Sequence, residues 1–202
     1  MIGRMCNRYN LRATKKDIAS LFDLTELDFA PAADHWPMKP ALAVRPRDDA
    51  PGREGVMLRW GLVPFWADDP KVGRTMTNAR CETVATKPGF RAAFKARRCL
   101  VPVTAFCEPH NKKWYRFTLN GAPLFAFAGL WESWDKGEEP LGTFTFLTTE
   151  ANELVAEYHA KRRMPVILHR DDFDLWLHGK PDDVPVLYRP FPADRMSVAA
   201  VA

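Results

Sequence analysis

Apolar residues in this chain come in short runs cut by proline, glycine and charge, and only a few stretches repeat at helical spacing. Residues 14–22 carry one such stripe, Ile18, Leu21 and Phe22, with Thr14 at the N-cap and Asp17 at the capping-box position. A proline-rich stretch follows, with 41–44 as a short strand inside it. Runs at 56–62, 99–106, 113–119, 124–131, 143–148 and 166–168 are rich in β-branched and aromatic residues and bounded by turn formers, which predicts strands. Between them lie a loop at 65–78, a helix starting near Glu82, and helices at 89–96, 151–158 and 171–177, the last burying Trp176. Strands in runs, broken by helices without strict βαβ alternation, predict an α+β fold with a mostly antiparallel, barrel-like β core and flanking helices. No repeat or low-complexity linker divides the chain. One domain over 6–202 is expected, with 1–5 a leader or a mis-assigned start.

A chain of 202 residues is long enough for a substantial core, and its composition is that of a soluble globular protein. No apolar run nears the ~18 residues that span a bilayer, so no membrane partner is expected and the location expected is cytoplasmic, or nucleoid-associated when DNA is bound. The cysteines Cys6, Cys81, Cys99 and Cys107 and the five histidines lack metal-ligand spacing, so neither metal nor cofactor is expected. Net charge is only +4, but it is unevenly spread. Residues 83–131 hold Lys87, Arg91, Lys95, Arg97, Arg98, Lys112, Lys113 and Arg116 against the single acid Glu108. Such a segment suits a polyanion or a solvated face equally.

Near the start stands Met5-Cys6-Asn7-Arg8. If Met5 begins the chain and is trimmed, or if 1–5 are cut away, Cys6 carries both a thiol and an α-amine. A 1,2-aminothiol condenses with an aldehyde to a thiazolidine, and both groups keep a nucleophilic fraction near neutrality. Taken alone, a cysteine near a terminus is more often a small buried hydrophobe.

Further segments follow in a specific order: Trp60-Gly61-Leu62-Val63-Pro64-Phe65-Trp66, Thr77-Asn78-Ala79-Arg80-Cys81-Glu82, and Cys99-Leu100-Val101-Pro102 leading through Phe106 to Glu108. Phe127-Ala128-Gly129-Leu130-Trp131 precedes Phe146-Leu147-Thr148-Thr149-Glu150-Ala151-Asn152, and His159 precedes Met164-Pro165-Val166-Ile167-Leu168. With Met5-Cys6-Asn7-Arg8 at the front, this series resembles the SRAP family of SOS-response-associated peptidases, also called abasic-site processing proteins, from Cys6 to about Leu177. The resemblance implies a monomeric abasic-site sensor. It would bind single-stranded DNA, crosslink through Cys6 to the ring-opened sugar aldehyde, and remove residues ahead of that cysteine as a peptidase. By the same resemblance Asn78 positions the amine, Glu108 is the acid/base and His159 assists ring opening. Arg8 and Arg80 would hold phosphates, and Phe65 and Trp66 would face the DNA.

The chemistry of these residue types agrees. One carboxyl can take the amine proton and return it to the departing oxygen, and burial after Phe106 would raise its pKa toward the working pH. Arginines and aromatic faces are what single-stranded DNA requires. Each residue also has a plain reading: Asn78 a helix cap, Glu108 a turn carboxylate, His159 a surface histidine at a helix end, and Trp60 and Trp131 core. Four features depart from the family pattern: the leader 1–5 ahead of Cys6, Asn7 where many members have glycine, a longer His159-to-Met164 spacing, and Cys107, Pro109 and His110 where aromatic residues often flank the glutamate. Two other functions are expected alternatives: a cysteine peptidase acting on peptides, and a non-covalent single-strand binder whose nucleophile stays capped.

Overall fold

The structure, a computed structural model, describes residues 7–27 and 32–201. Cys6 and the segment 1–5 lie outside the described residues. In chain order the first strands are β1 (Arg8–Asn10), β2 (Asp34–His35), β3 (Pro40–Pro46), β4 (Arg53–Trp60), β5 (Asn78–Arg80), β6 (Arg98–Val103) and β7 (Ala105–His110). The remainder are β8 (Lys113–Leu119), β9 (Phe125–Trp134), β10 (Leu141–Glu150), β11 (Arg163–Pro165), β12 (Ile167–Leu168) and β13 (Met196–Val201). The α-helices are α1 (Lys15–Phe22), α2 (Arg91–Ala96), α3 (Glu153–Tyr158) and α4 (Phe173–His178).

Five strands close a barrel in the order β10-β4-β3-β6-β9, with β9 pairing back onto β10. Among the strand pairings of the described residues, those of β10 with β4 and β5 are parallel and the rest antiparallel. A second sheet, β13-β8-β7-β1-β2, is antiparallel throughout. The α+β, mostly antiparallel barrel expected from the sequence is the observed fold. Alternation along the barrel strands divides the core in two, as period-2 side chains must. Ala41, Ala43, Cys99, Val101, Phe125 and Phe127 join Tyr9, Phe106 and Phe117 of the second sheet. Leu42, Val44, Leu100, Ala126 and Ala128 instead pack under Ile18 and Phe22 of α1, Phe94 of α2 and Phe173 and Trp176 of α4. Strands buried on both faces read as unbroken apolar runs, which is why β9 spells Phe-Ala-Phe-Ala-Gly-Leu-Trp.

Local expectations met local physics. The capping box of α1 forms, Thr14 Oγ1 accepting from the Asp17 N–H at 3.1 Å and Asp17 receiving the Thr14 N–H at 3.3 Å. The run 99–106 proves to be two strands. Thr104 turns the chain from barrel to second sheet, its N–H donating to the Asn10 carbonyl and its hydroxyl accepting from the Arg12 N–H. No helix starts near Glu82; residues 81–86 are successive turns, where β-branched Thr83, Val84 and Thr86 disfavour a helix and Pro88 stops one. Arg98 lies beyond α2, the helix that carries Arg91 and Lys95. It begins β6 and is buried, its guanidinium over Trp176 and bonded to the Gly179 carbonyl. Arg97 pairs with Glu132, so two cations of the basic segment are engaged within the fold.

Two glycines set the loop that leads to β5. Gly61, at φ +128°, ends β4, and a Cβ there would lie 2.5 Å from the Gly73 carbonyl oxygen. Gly73 faces Gly61 with the same clearance, so neither position admits a side chain. The loop is thereby pressed onto the barrel rim.

Candidate active site

β1 enters the second sheet beside β7, with Arg8 opposite Cys107 and Tyr9 opposite Phe106. That register brings the strand that starts two residues after Cys6 alongside the strand that carries Glu108. The Arg8 guanidinium is held by Asp34, which accepts from its Nε at 2.9 Å and its Nη2 at 2.7 Å, and it lies over the rings of Trp36 and Trp114. Asn10 Nδ2 donates to the same Asp34 oxygen at 2.8 Å. These hydrogen bonds, with the charges of Arg8 and Arg12, outweigh burial and keep the Asp34 carboxyl below its ordinary pKa. Asp34 thus braces both ends of β1.

Glu108 sits on β7 with only 1% of its surface exposed. Its Oε2 lies 3.6 Å from Nε2 of His159, the residue that ends α3. Asn152 caps the other end of α3 through the Val155 N–H, so this one short helix delivers the imidazole to the carboxylate. Burial, then the positive charges of Lys161 and Arg163, push the His159 pKa below the usual histidine value. Burial thus favours the neutral form of the imidazole.

Asn78 opens β5 rather than capping a helix, and it pairs with Phe146 of β10. Its position is fixed by its neighbour: the Thr77 carbonyl accepts from the buried Trp60 Nε1 at 2.8 Å. Trp60 in turn packs on Tyr9 of β1, ring centroids 5.2 Å apart. Arg80 lies two residues along β5 from Asn78, hence on the same face, and is exposed. The plain reading of Trp60 as core is met in full; Trp131 is only partly buried.

Phe65 and Trp66 are among the few large apolar side chains left half exposed, at 50% and 49%. Their backbone is nevertheless tied down. Val63 N–H donates to Thr143 Oγ1 at 2.9 Å, Phe65 N–H to the Glu132 carboxylate, Lys136 Nζ to the Trp66 carbonyl at 2.8 Å, and Trp134 Nε1 to the Ala67 carbonyl at 2.7 Å. The two rings are therefore exposed on a loop whose backbone is anchored to the barrel.

The structure therefore brings Glu108 and His159 into contact and sets Asn78 and Arg80 together on β5. Sequence reading passed over Asp34 and did not foresee that Glu82 pairs with Arg163. Arg163 forms a two-point ion pair with Glu82, Nη2 to Oε2 at 2.9 Å, and donates to the Thr148 carbonyl at 2.6 Å. The signal for Arg163 was its place directly before Met164-Pro165; Asp34 sat unmarked in the proline-rich stretch.

A buried carboxylate touching a buried imidazole is an arrangement able to move a proton at a reacting group. The chain belongs to the SOS response associated peptidase (SRAP) family, whose model matches residues 5–202. It is 39% identical over 211 aligned residues to the abasic site processing protein YoqW of Bacillus subtilis (strain 168), covering 98% of this chain and 92% of that one. It is 33% identical to the abasic site processing protein HMCES of Gallus gallus, over 65% of this chain and 48% of that longer protein. A crystal structure of a protein from Bordetella bronchiseptica superposes with a TM-score of 0.87 at 28% identity, covering 98% of this chain and all of that one.

Proposed function

We propose that this protein processes abasic sites in single-stranded DNA by bonding covalently to them through Cys6 presented as the first residue. The observation that carries the reading is the buried Glu108–His159 contact on the strand next to β1, two residues downstream of Cys6. The relatives named as abasic site processing proteins support it. In the proposed reaction the Cys6 amine adds to the aldehyde of the ring-opened sugar and water leaves, giving an iminium. The Cys6 thiolate then adds to the iminium carbon and closes a thiazolidine, so the adduct is one water lighter than its parts. Glu108 takes the amine proton and returns it to the departing oxygen. His159 donates a hydrogen bond to that oxygen, and Asn78 holds the amine. Arg80 meets the phosphates, Phe65 and Trp66 stack on flanking bases, and Arg8, committed to Asp34, braces β1.

The same carboxylate next to the same backbone supports a second, linked activity: hydrolysis of the Met5–Cys6 bond, which frees the amine. Intact mass spectrometry tests both. A chain beginning at Cys6, incubated with an abasic single-stranded oligonucleotide, is expected to gain the oligonucleotide mass less one water. No mass gain by that chain overturns the covalent reading. A full chain that keeps residues 1–5 on prolonged incubation overturns self-processing.

A further inference from the structure

Two backbone groups further along its own loop close on the His159 ring. Nδ1 accepts from the Lys161 N–H at 3.2 Å and from the Arg163 N–H at 3.3 Å. The loop turns back on the ring because Arg162, between them, adopts the left-handed conformation, φ 50°, with its own N–H donating to the His159 carbonyl at 2.8 Å. The far end of the turn is pinned, since Arg163 is clamped to Glu82 and to the Thr148 carbonyl. An exposed arginine in the left-handed region is strained and persists where its surroundings demand it.

We infer that this backbone nest is a positioning device, with Arg162 as its hinge, that holds His159 as the neutral imidazole protonated on Nε2 and aimed at Glu108. The consequence for catalysis rests on the proposed function; the tautomer does not. Two N–H groups pointed at one ring nitrogen are satisfied only if that nitrogen keeps its lone pair. The proton of the neutral ring is then on Nε2, which donates and does not accept. His159 therefore cannot compete with Glu108 for the amine proton. It polarises the departing oxygen by a hydrogen bond and keeps its own proton, while the proton that moves travels through Glu108. The groups facing the ring are the Glu108 carboxylate and the charges of Lys161 and Arg163. The open cavity beside it, about 460 Å³, is lined also by His110, Glu157 and Arg162.

The test is ¹⁵N NMR of ring-labelled histidine in the free protein, with His159 assigned by its loss in H159N. The wild type is expected to show the Nε2–H tautomer and to titrate below an exposed histidine. R162V places a β-branched residue where φ is positive and should open the nest, giving mixed tautomers and a titration moved up toward the ordinary value. R162G lacks the same guanidinium but tolerates the conformation, and should keep the wild-type spectrum. With the abasic oligonucleotide, R162V should form adduct about tenfold more slowly than R162G, with equal affinity for undamaged single strands. An Nδ1–H tautomer in the wild type, or an unchanged spectrum in a folded R162V, overturns the inference. A wild type with the expected spectrum and no adduct leaves the nest standing and removes the proposed function.

Discussion

Two glutamates are buried to nearly the same degree at two places in the fold, Glu132 on β9 and Glu108 on β7, at 4% and 1% exposure. Glu132 accepts from Arg97 Nη2 at 2.7 Å, from the Ser133 N–H at 3.2 Å and from the Phe65 N–H. Its partner is a guanidinium that never gives up its proton. Glu108 instead faces a neutral imidazole at 3.6 Å. The difference separates structure from chemistry. Permanent donors hold the Glu132 carboxylate in place, and although burial raises its pKa, Arg97 opposes that rise. A buried acid beside a ring that carries no fixed charge is left able to take up and return a proton.

The sharpest way to break the comparison is to neutralise each acid in turn. E108Q keeps the shape of the side chain and is expected to slow adduct formation about 10²–10⁴-fold, with an unchanged thermal unfolding midpoint. E132A should do the reverse. It leaves the Arg97 guanidinium without its carboxylate and costs about 3 kcal/mol in urea unfolding, while folded protein still forms adduct. An E132A variant that is folded and unreactive, or an E108Q variant whose loss of rate follows its loss of fold, would erase the distinction.

A smaller effect is expected at the loop that Glu132 anchors. W66A removes a half-exposed ring that supports nothing in the core, so stability should be unchanged. Affinity for single-stranded DNA should fall about tenfold, the value of one stacked base. Equal binding by W66A and wild type, measured by fluorescence anisotropy, would return the exposed rings to ordinary surface.

What the sequence disclosed follows the same division. The barrel strands were legible because burial on both faces writes long apolar runs, and α1 because its cap and stripe agree. The strands β1, β2, β5 and β13 were not, because two or three paired residues, or an edge strand with mixed exposure, leave no period to read. Glu108 stood out as the only acid in a basic segment. Its contact with His159 did not, since that depends on where α3 ends rather than on any local pattern. Nor did the bracing of Arg8 by Asp34, a pairing across 26 positions that only the β1–β2 register creates. Asn78 lost its helix-cap reading for a physical reason: the turns after Arg80 never become a helix, and the residue is drawn into β10's ladder instead.

The smallest effect concerns pH and sets two histidines against Glu132. His159 and His35 are both buried, and burial is the leading cause that lowers each pKa. His35 stacks on Tyr9 at 4.7 Å within the second sheet, away from the chemistry assigned to His159. Below the unfolded value of 6.5 the unfolded chain binds protons that the folded rings refuse, so stability must fall as pH drops, until the folded pKa values are reached. Glu132 has the opposite sign. Its folded pKa lies above 4.5, so between those limits the folded state holds the extra proton and stability rises as pH falls. The histidine window opens first on acidification. Urea midpoints at about pH 7.5 and pH 5.5 should therefore decrease for the wild type. H159Q, which cannot titrate, should show a shallower decrease, with His35 accounting for the remainder. A wild-type midpoint that holds or rises toward pH 5.5, with H159Q falling more steeply than wild type, would mean that His159 gains a proton on folding, and Glu108 would then face a cation as Glu132 does.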